Sequence, residues 1–374
     1  IVGYWLRIVF VTTTGILGLS YLNLLNWLTL ALLYIFCLTF NYLESNDWQV
    51  VYCLHSLQSK TFNLVDILDR GLSFEDVIKN IQYSCQKIKQ QFIYYLDNLV
   101  IRQGIFFVAI LTVVLAFALL LRWEYPLLEL RFSHPDRYSV LLITRQILAG
   151  NYPEINYLPV FPALAAIVSL FASIDAMQAI RFLSPLVGII LVLSLGYSVR
   201  VLTNNFSSAL VTMFGLGVYL FTWEQEINPE LPIWLMRVID SLNSSLIRQW
   251  TGNELELGGI FVLLSLGYYF DRDRSQEKTI TFRINLVCGI ILVAMSAPPL
   301  LILLAIAGIG AIGGKRLALT AIALTWIILA IFGSMTQGQL LWTQSFLLPL
   351  PVALSLLAGL LFNANAEIAQ LISK

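Results

Sequence analysis

Long apolar runs alternate with short polar segments along most of the chain, and this alternation predicts a bundle of membrane-spanning helices. A helix needs about 20 predominantly apolar residues to cross roughly 30 Å of hydrocarbon, and most of the runs approach that length. Single runs of this kind lie at residues 3–22, 26–43, 104–122, 156–174, 182–199, 207–223, 257–271, 317–333 and 340–362.

The apolar stretch 284–314 is longer than one crossing needs, and it is interrupted by Ser296-Ala297-Pro298-Pro299. Proline lacks a backbone N–H and clashes with the preceding helical turn, so a pair of prolines ends or kinks a helix. We therefore predict two short passes that meet near Ala297. The total becomes about eleven membrane helices, and the predicted fold class is an all-α polytopic integral membrane protein.

The longest polar part of the chain, 44–102, separates an N-terminal transmembrane hairpin at 1–43 from a membrane core at 103–374. Within it, Ser73 and Asp76 form a capping box of the S-x-x-D type, and apolar residues then recur at helical spacing. This pattern predicts an amphipathic helical segment. We expect it to lie on the cytoplasmic side, against the membrane surface or a protein partner.

Basic residues in short loops predict which ends of the helices face the cytoplasm. The loop 271–283 carries four Lys or Arg residues, and the sequence GGKR at 313–316 carries two. We predict that both are cytoplasmic, which suits two passes through 284–314. If 44–102 is cytoplasmic too, then 123–155 is the first extracytoplasmic loop.

The number of runs does not agree with this orientation. Three crossings between 156 and 223 would leave residues 224–256 inside, whereas a cytoplasmic 271–283 requires them outside. Either one apolar run is re-entrant, or the segment PELPIWLMRVI at 229–239 dips into the membrane.

Composition supports a membrane protein and excludes nucleic acid as a partner. Of the 374 residues, 58% are hydrophobic and 12% are charged, with a mean hydropathy of +0.80, whereas soluble domains contain about 25% charged residues. The 22 basic and 22 acidic residues balance, and binding to phosphate backbones needs a basic surplus. We therefore expect an integral protein of a plasma or inner membrane.

The sequence GIGAIG, with Gly308, Gly310 and Gly313, matches the dinucleotide-binding pattern G-x-G-x-x-G by letter. That site requires a preceding strand and an acidic residue about 20 positions later. Here the glycines close an apolar run, and the next acid is Glu367. We predict that these small residues let two helices approach closely.

The stretch RFSHPDRYSVLLITRQILAGNYPEINYLPVFP at 131–162 concentrates polar residues at the edge of the predicted membrane. Pro135 suits the first turn of a helix, Asp136 suits the positive end of its dipole, and Gly150 suits its end. In the simplest interpretation Asp136 only caps a surface helix.

A catalytic interpretation of the same stretch is sharper. A carboxylate at the membrane surface can act as a general base toward an acceptor, or hold a divalent cation against a lipid diphosphate. Arg137 and Arg145 fall near one face of the predicted helix, and a guanidinium binds phosphate oxygens bidentately. Transfer from a lipid-linked donor requires this combination of a base and phosphate-binding cations.

In the order of its features the chain resembles the polytopic C-type (GT-C) glycosyltransferases, which include oligosaccharyltransferases, protein mannosyltransferases and aminoarabinose transferases. In that family a catalytic Asp in the first extracytoplasmic loop precedes Tyr or His, an amphipathic helix, a G-x-Y-P turn and a proline-containing membrane helix. Here Asp136, Tyr138, GNYP at 150–153 and YLPVFPALAAIVSLF at 157–171 hold these places, and Arg181 leads the next helix.

The resemblance implies a GT-C-like membrane core that moves a sugar from a polyprenyl-phosphate donor to an extracytoplasmic acceptor. Asp136 would be catalytic, and the donor phosphate would meet Arg137, Tyr138, Arg145 and Arg181. Many members carry two adjacent acids, whereas Asp136 lies between Pro135 and Arg137, so the secondary acidic candidates are more distant: Glu129, Glu254 and Glu256.

Two questions stay open at this point. The sequence does not require a metal cofactor. A divalent cation, Mg²⁺ or Mn²⁺, is compatible with it. Two other functions also compete with the transferase: a non-catalytic membrane subunit or assembly factor with the same scaffold, and a transporter of lipid or solute.

Overall fold

The protein is described by a computed structural model that covers residues 2–45, 86, 105–128, 135–150, 159–218, 232–239, 254–271, 279–335, 346 and 350–372. The amphipathic segment and protein partner predicted at 44–102 lie outside these ranges, except for residues 44, 45 and 86. All regular secondary structure in the described ranges is helical, which confirms the all-α class.

Each predicted apolar run contains a helix, and a further helix follows the third run. The α-helices of 12 or more residues are α1 (Val2–Tyr21), α2 (Trp27–Ser45), α3 (Ile105–Leu128), α4 (Pro135–Leu148), α5 (Val160–Ala172), α6 (Ala176–Thr203), α7 (Phe206–Gly217), α8 (Glu254–Phe270), α9 (Thr279–Ser296), α10 (Leu301–Ile312), α11 (Lys315–Met335) and α12 (Leu350–Ile372).

Three of the described helices, α1, α6 and α11, are long and apolar enough to cross a membrane. Several shorter helices are also apolar, among them α5, α7 and α10. These helices support membrane association, and the count of eleven crossings stays a prediction.

The break predicted inside 284–314 is confirmed. Helix α9 ends at Ser296, a 3₁₀ turn spans Pro298–Leu300, and α10 begins at Leu301. The N–H of Ala297 still donates to the Val293 carbonyl at 2.8 Å. Since the next two residues have no N–H to donate, the helical ladder stops there.

The chain forms two compact units, residues 1–30 with 110–374 and residues 31–109. Helix α1 belongs to the larger unit. Near its start the Trp5 ring lies 6.2 Å from the Phe261 ring of α8, and near its end the Ser20 hydroxyl donates to the Ile147 carbonyl of α4 at 3.0 Å. A Cβ at Gly3, two residues before Trp5, would meet the ring of Tyr268, seven residues after Phe261, so α1 runs antiparallel to α8, and its end reaches the end of α4.

Helices α6 and α8 run parallel to each other. Leu191 packs beside Gly259, and two turns later the Ser198 hydroxyl donates to the Leu263 carbonyl at 2.6 Å. At the end of α8 the Tyr197 hydroxyl donates to Asp271 at 3.3 Å.

The helix ends that flank the two predicted basic loops meet at one end of this bundle. The Lys315 ammonium, at the start of α11, donates to the carbonyl of Phe270, the last residue of α8, at 3.0 Å. We call the region where α8 ends, α9 begins and residues 313–316 join α10 to α11 the basic end. The opposite end is the one where α8 begins at Glu254.

Helix α5 does not run the length of the bundle. Its 13 residues span about 20 Å, less than a bilayer core. It begins beside Glu254, where the Phe161 N–H donates to the Glu254 carboxylate at 3.0 Å, and it turns at Ser173 into the start of α6. Because Leu191 of α6 lies beside Gly259 of α8, the start of α6 lies about 15 Å farther from the basic end than Glu254 does. Both ends of α5 thus lie toward the opposite end, and a re-entrant run in the membrane stays a prediction.

A fully buried arginine joins the ends of α3 and α7. The guanidinium of Arg122 donates to the Leu216 and Gly217 carbonyls at 2.9 and 2.8 Å, and Arg122 has no solvent exposure. The last carbonyls of a helix have no partner within it, so this cation caps the end of α7.

The glycines of GIGAIG act in helix packing, with one exception. A Cβ at Gly310 would lie 2.8 Å from the Ala318 Cα, so α10 and α11 approach backbone to backbone at this position. Gly313 lies against the Leu317 side chain, whereas a Cβ at Gly308 would meet open space. The prediction of close helix approach is therefore confirmed for Gly310 and Gly313 and is wrong for Gly308.

Candidate active site

The predicted amphipathic helix of the first loop is α4, and its boundaries follow the sequence signals. Pro135 is its first residue and Asp136 its second. The chain leaves the helix through Gly150, whose φ of 75° is a conformation that glycine adopts readily. Asp136 therefore lies in the first turn of α4. Its side chain and the whole of Glu129 lie outside the part of the chain that the structure describes.

The donor-binding candidates on α4 occupy different environments. Arg137 is 2% exposed and Tyr138 is 46% exposed. Arg145 lies on the surface with its guanidinium 3.5 Å from the Asp175 carboxylate, and both side chains are more than half exposed. An ion pair in such an exposed position contributes little to stability.

Asp175 links α4 to the beginning of α6. Its carboxylate accepts the Met177 N–H at 3.0 Å and so caps α6, while its other oxygen faces Arg145. Arg181 lies six residues further along α6, half-buried, with its Nε and Nη2 atoms inaccessible to solvent. The polar residues of α4 and α6 thus belong to adjacent helices.

Glu254 holds the start of α5 inside the bundle. Its Oε1 accepts the Phe161 N–H at 3.0 Å, and Pro159 before the helix offers no side-chain cap. The other oxygen, Oε2, is buried and has no hydrogen-bond partner among the residues that the structure describes. Glu254 is therefore a long-range helix cap with one carboxyl oxygen left available for a proton or a ligand.

Glu256 follows two residues later on α8 and is also buried, at 5% exposure. Two acids in the first turn of a helix interact favourably with its dipole. Burying carboxylates in an apolar bundle is otherwise costly. Glu254 and Glu256 make the start of α8 polar, whereas the rest of this helix is apolar.

Helix α5 contacts α4, α6 and α8. The structure thereby groups the helices that carry Asp136, Arg137, Arg181 and Glu254 around one short helix. Sequence reasoning identified these residues as separate candidates but missed the role of α5, because 93 positions separate Phe161 from Glu254. Among the described residues, no cluster of three His, Cys, Asp or Glu side chains has the arrangement of a metal site.

The cap on α5 leads to a first prediction, on stability. In Glu254→Ala the Phe161 N–H loses its acceptor inside the bundle, so we expect the free energy of unfolding to fall by about 1–3 kcal/mol. Glu254→Gln keeps a carbonyl oxygen at the same distance from the backbone and should lose less than about 1 kcal/mol. Thermal unfolding of the two variants in the same detergent checks the order, and equal losses would contradict the capping role.

No protein-family model, characterised protein or solved structure matches the chain.

Proposed function

We propose that the protein is a membrane glycosyltransferase that moves a sugar from a polyprenyl-phosphate donor to an acceptor on the extracytoplasmic side, with its reaction centre around α4 and α5. The observation that carries the proposal is the grouping of α4, α6 and the start of α8 around α5. The parts of these helices near α5 carry Asp136, Arg137, Arg145 and Arg181, together with the buried glutamates Glu254 and Glu256.

In the proposed reaction the acceptor oxygen or nitrogen attacks the anomeric carbon of the donor sugar. The bond from that carbon to the phosphate oxygen breaks, and the polyprenyl phosphate leaves with the electron pair. Asp136 takes the proton of the acceptor, as a general base within hydrogen-bond reach does. Arg137, Arg145 or Arg181 stabilises the negative charge that develops on the phosphate.

The orientation of the helices agrees with this proposal. The predicted cytoplasmic loops 271–283 and 313–316 meet at the basic end, and the contacts of α4 with α1 lie at the opposite end. With α5 as a re-entrant helix, α4, the end of α7 and the start of α8 all lie toward the extracytoplasmic side. Orientation by loop charge then agrees with the number of crossings.

Polyprenyl phosphate is the product common to all such donors, so its binding tests the proposal without knowledge of the sugar. We expect purified protein in nanodiscs to unfold at least about 3 °C higher when a saturating polyprenyl phosphate is present. The same polyprenol without phosphate is the control and should change the unfolding temperature by less than about 1 °C. Equal shifts by the two lipids would overturn phosphate recognition.

A non-catalytic scaffold is the competing function, and two observations favour it. Arg137 is buried, and Arg145 already lies beside Asp175. Both residues could act in packing α4 against its neighbours. In that case polyprenyl phosphate would stabilise neither the wild type nor Arg181→Gln.

A further inference from the structure

An apolar cavity of about 240 Å³ lies between α8, α9 and α10, in the half of the bundle near the basic end. Apart from Ser265 and Tyr269, its lining residues are apolar. The residues that form its rim and walls are Tyr269 and Phe270 of α8, Leu286 and Ile290 of α9, and Leu304 and Gly308 of α10.

The cavity opens sideways between the helices. Tyr269 and Ile290 are 48% and 40% exposed, and a Cβ at Gly308 would meet nothing within 4 Å. Clefts that enclose a whole small molecule have volumes of about 300–1,000 Å³. At about 240 Å³ this cavity is smaller, and it suits part of a hydrocarbon chain. Its apolar lining favours hydrocarbon over water.

Positive charge lies directly beside this cavity. Arg283 is exposed and precedes Leu286 and Ile290 by three and seven residues, which places it on the same face of α9. The Lys315 ammonium donates to the Phe270 carbonyl at 3.0 Å, and Phe270 lines the cavity. Two cations thus flank the side of the cavity that faces the basic end.

The described residues around these two cations keep the sign of the charge. Residues 271, 279–283 and 313–316 contain three basic residues and one acid. The acid, Asp271, accepts a hydrogen bond from Tyr197, on the side of α8 that faces α6. Basic pockets beside membrane helices on the cytoplasmic side attract anionic lipid headgroups.

We propose that this cavity binds one acyl chain of an anionic phospholipid, whose phosphate lies against Arg283 and Lys315 at the basic end. The positions along α9 agree with this assignment. Leu286 lies one helical turn beyond Arg283, and Ile290 lies two turns beyond Arg283. The acyl chain therefore enters the cavity below the headgroup and runs along α9 into the bundle. The site is separate from the proposed reaction centre and does not depend on the proposed function.

Native mass spectrometry of the purified protein with equal amounts of phosphatidylglycerol and phosphatidylcholine tests the proposal. We expect the wild type to retain phosphatidylglycerol at least fivefold more than phosphatidylcholine. Arg283→Gln should lower phosphatidylglycerol occupancy at least fivefold and leave phosphatidylcholine unchanged. Gly308→Leu places a side chain in the cavity and should lower the occupancy of both lipids.

Gly18→Leu is the matched control, because Gly18 also lies in a helix and a Cβ there would also meet open space. It should bind both lipids as the wild type does. Glycerol phosphate at millimolar concentration should not displace the phospholipid, since it lacks the chain. Wild-type occupancy in Gly308→Leu would overturn the cavity as the chain site, and unchanged headgroup preference in Arg283→Gln would overturn the assignment of the phosphate.

Discussion

Asp136→Asn should lower sugar transfer from a polyprenyl-phosphate donor by about 100-fold or more while the protein still folds. General base catalysis typically contributes 10²–10⁴-fold, and an amide cannot accept the proton that the acceptor loses. Asparagine is also a good residue for the start of a helix, so α4 should keep its first turn. Release of polyprenyl phosphate in liposomes, measured by mass spectrometry, gives the rate.

Asp175→Asn is the matched control for this substitution. Asp175 is also an aspartate at the start of a helix, where its carboxylate accepts the Met177 N–H. Asparagine can keep that hydrogen bond, and the exposed ion pair with Arg145 adds little. We expect transfer within about twofold of the wild type. If Asp136→Asn transferred sugar as fast as Asp175→Asn, Asp136 would be only a helix cap.

Gly310→Leu should destabilise the protein strongly, whereas Gly308→Leu in the same helix should not. A Cβ at Gly310 would lie 2.8 Å from the Ala318 Cα and 3.2 Å from its nitrogen, so α10 and α11 would have to separate. Overpacking typically costs 1–3 kcal/mol, and backbone atoms cannot move aside as a side chain can. We expect a loss of about 3 kcal/mol or more.

At Gly308 the added side chain enters open space, and leucine is the better helix former by up to about 1 kcal/mol. The stability of Gly308→Leu should therefore equal or slightly exceed that of the wild type. Thermal unfolding in one detergent compares the two variants directly. Equal unfolding temperatures would contradict the close contact between α10 and α11.

The sequence predicts those parts of the fold that local chemistry determines. Pro298 and Pro299 remove two consecutive N–H donors, and the break between α9 and α10 follows directly. Pro135 and Gly150 mark the two ends of α4 in the same way, since one suits a first helical turn and the other a left-handed conformation. Each of these features is set within a few residues of the chain.

Features that depend on distant residues could not be predicted. The apolar run 156–174 has the composition of a full crossing, yet α5 has only 13 residues, and the acceptor of the Phe161 N–H near its start is Glu254, 93 positions later. Gly308 and Gly310 look alike in GIGAIG, and only the position of α11 distinguishes them. The same holds for the candidate site. Its polar residues could be identified from the sequence, whereas their grouping around α5 could not.

The arginine at the end of α3 gives the bundle an order of assembly. Arg122 is satisfied by carbonyls of Leu216 and Gly217, more than 90 residues later in the chain. Before α7 has been synthesised, these two carbonyl partners are absent. We therefore expect α3 to be held less firmly until α7 is in place, so that a chain truncated before residue 216 should be degraded faster in cells than the full chain.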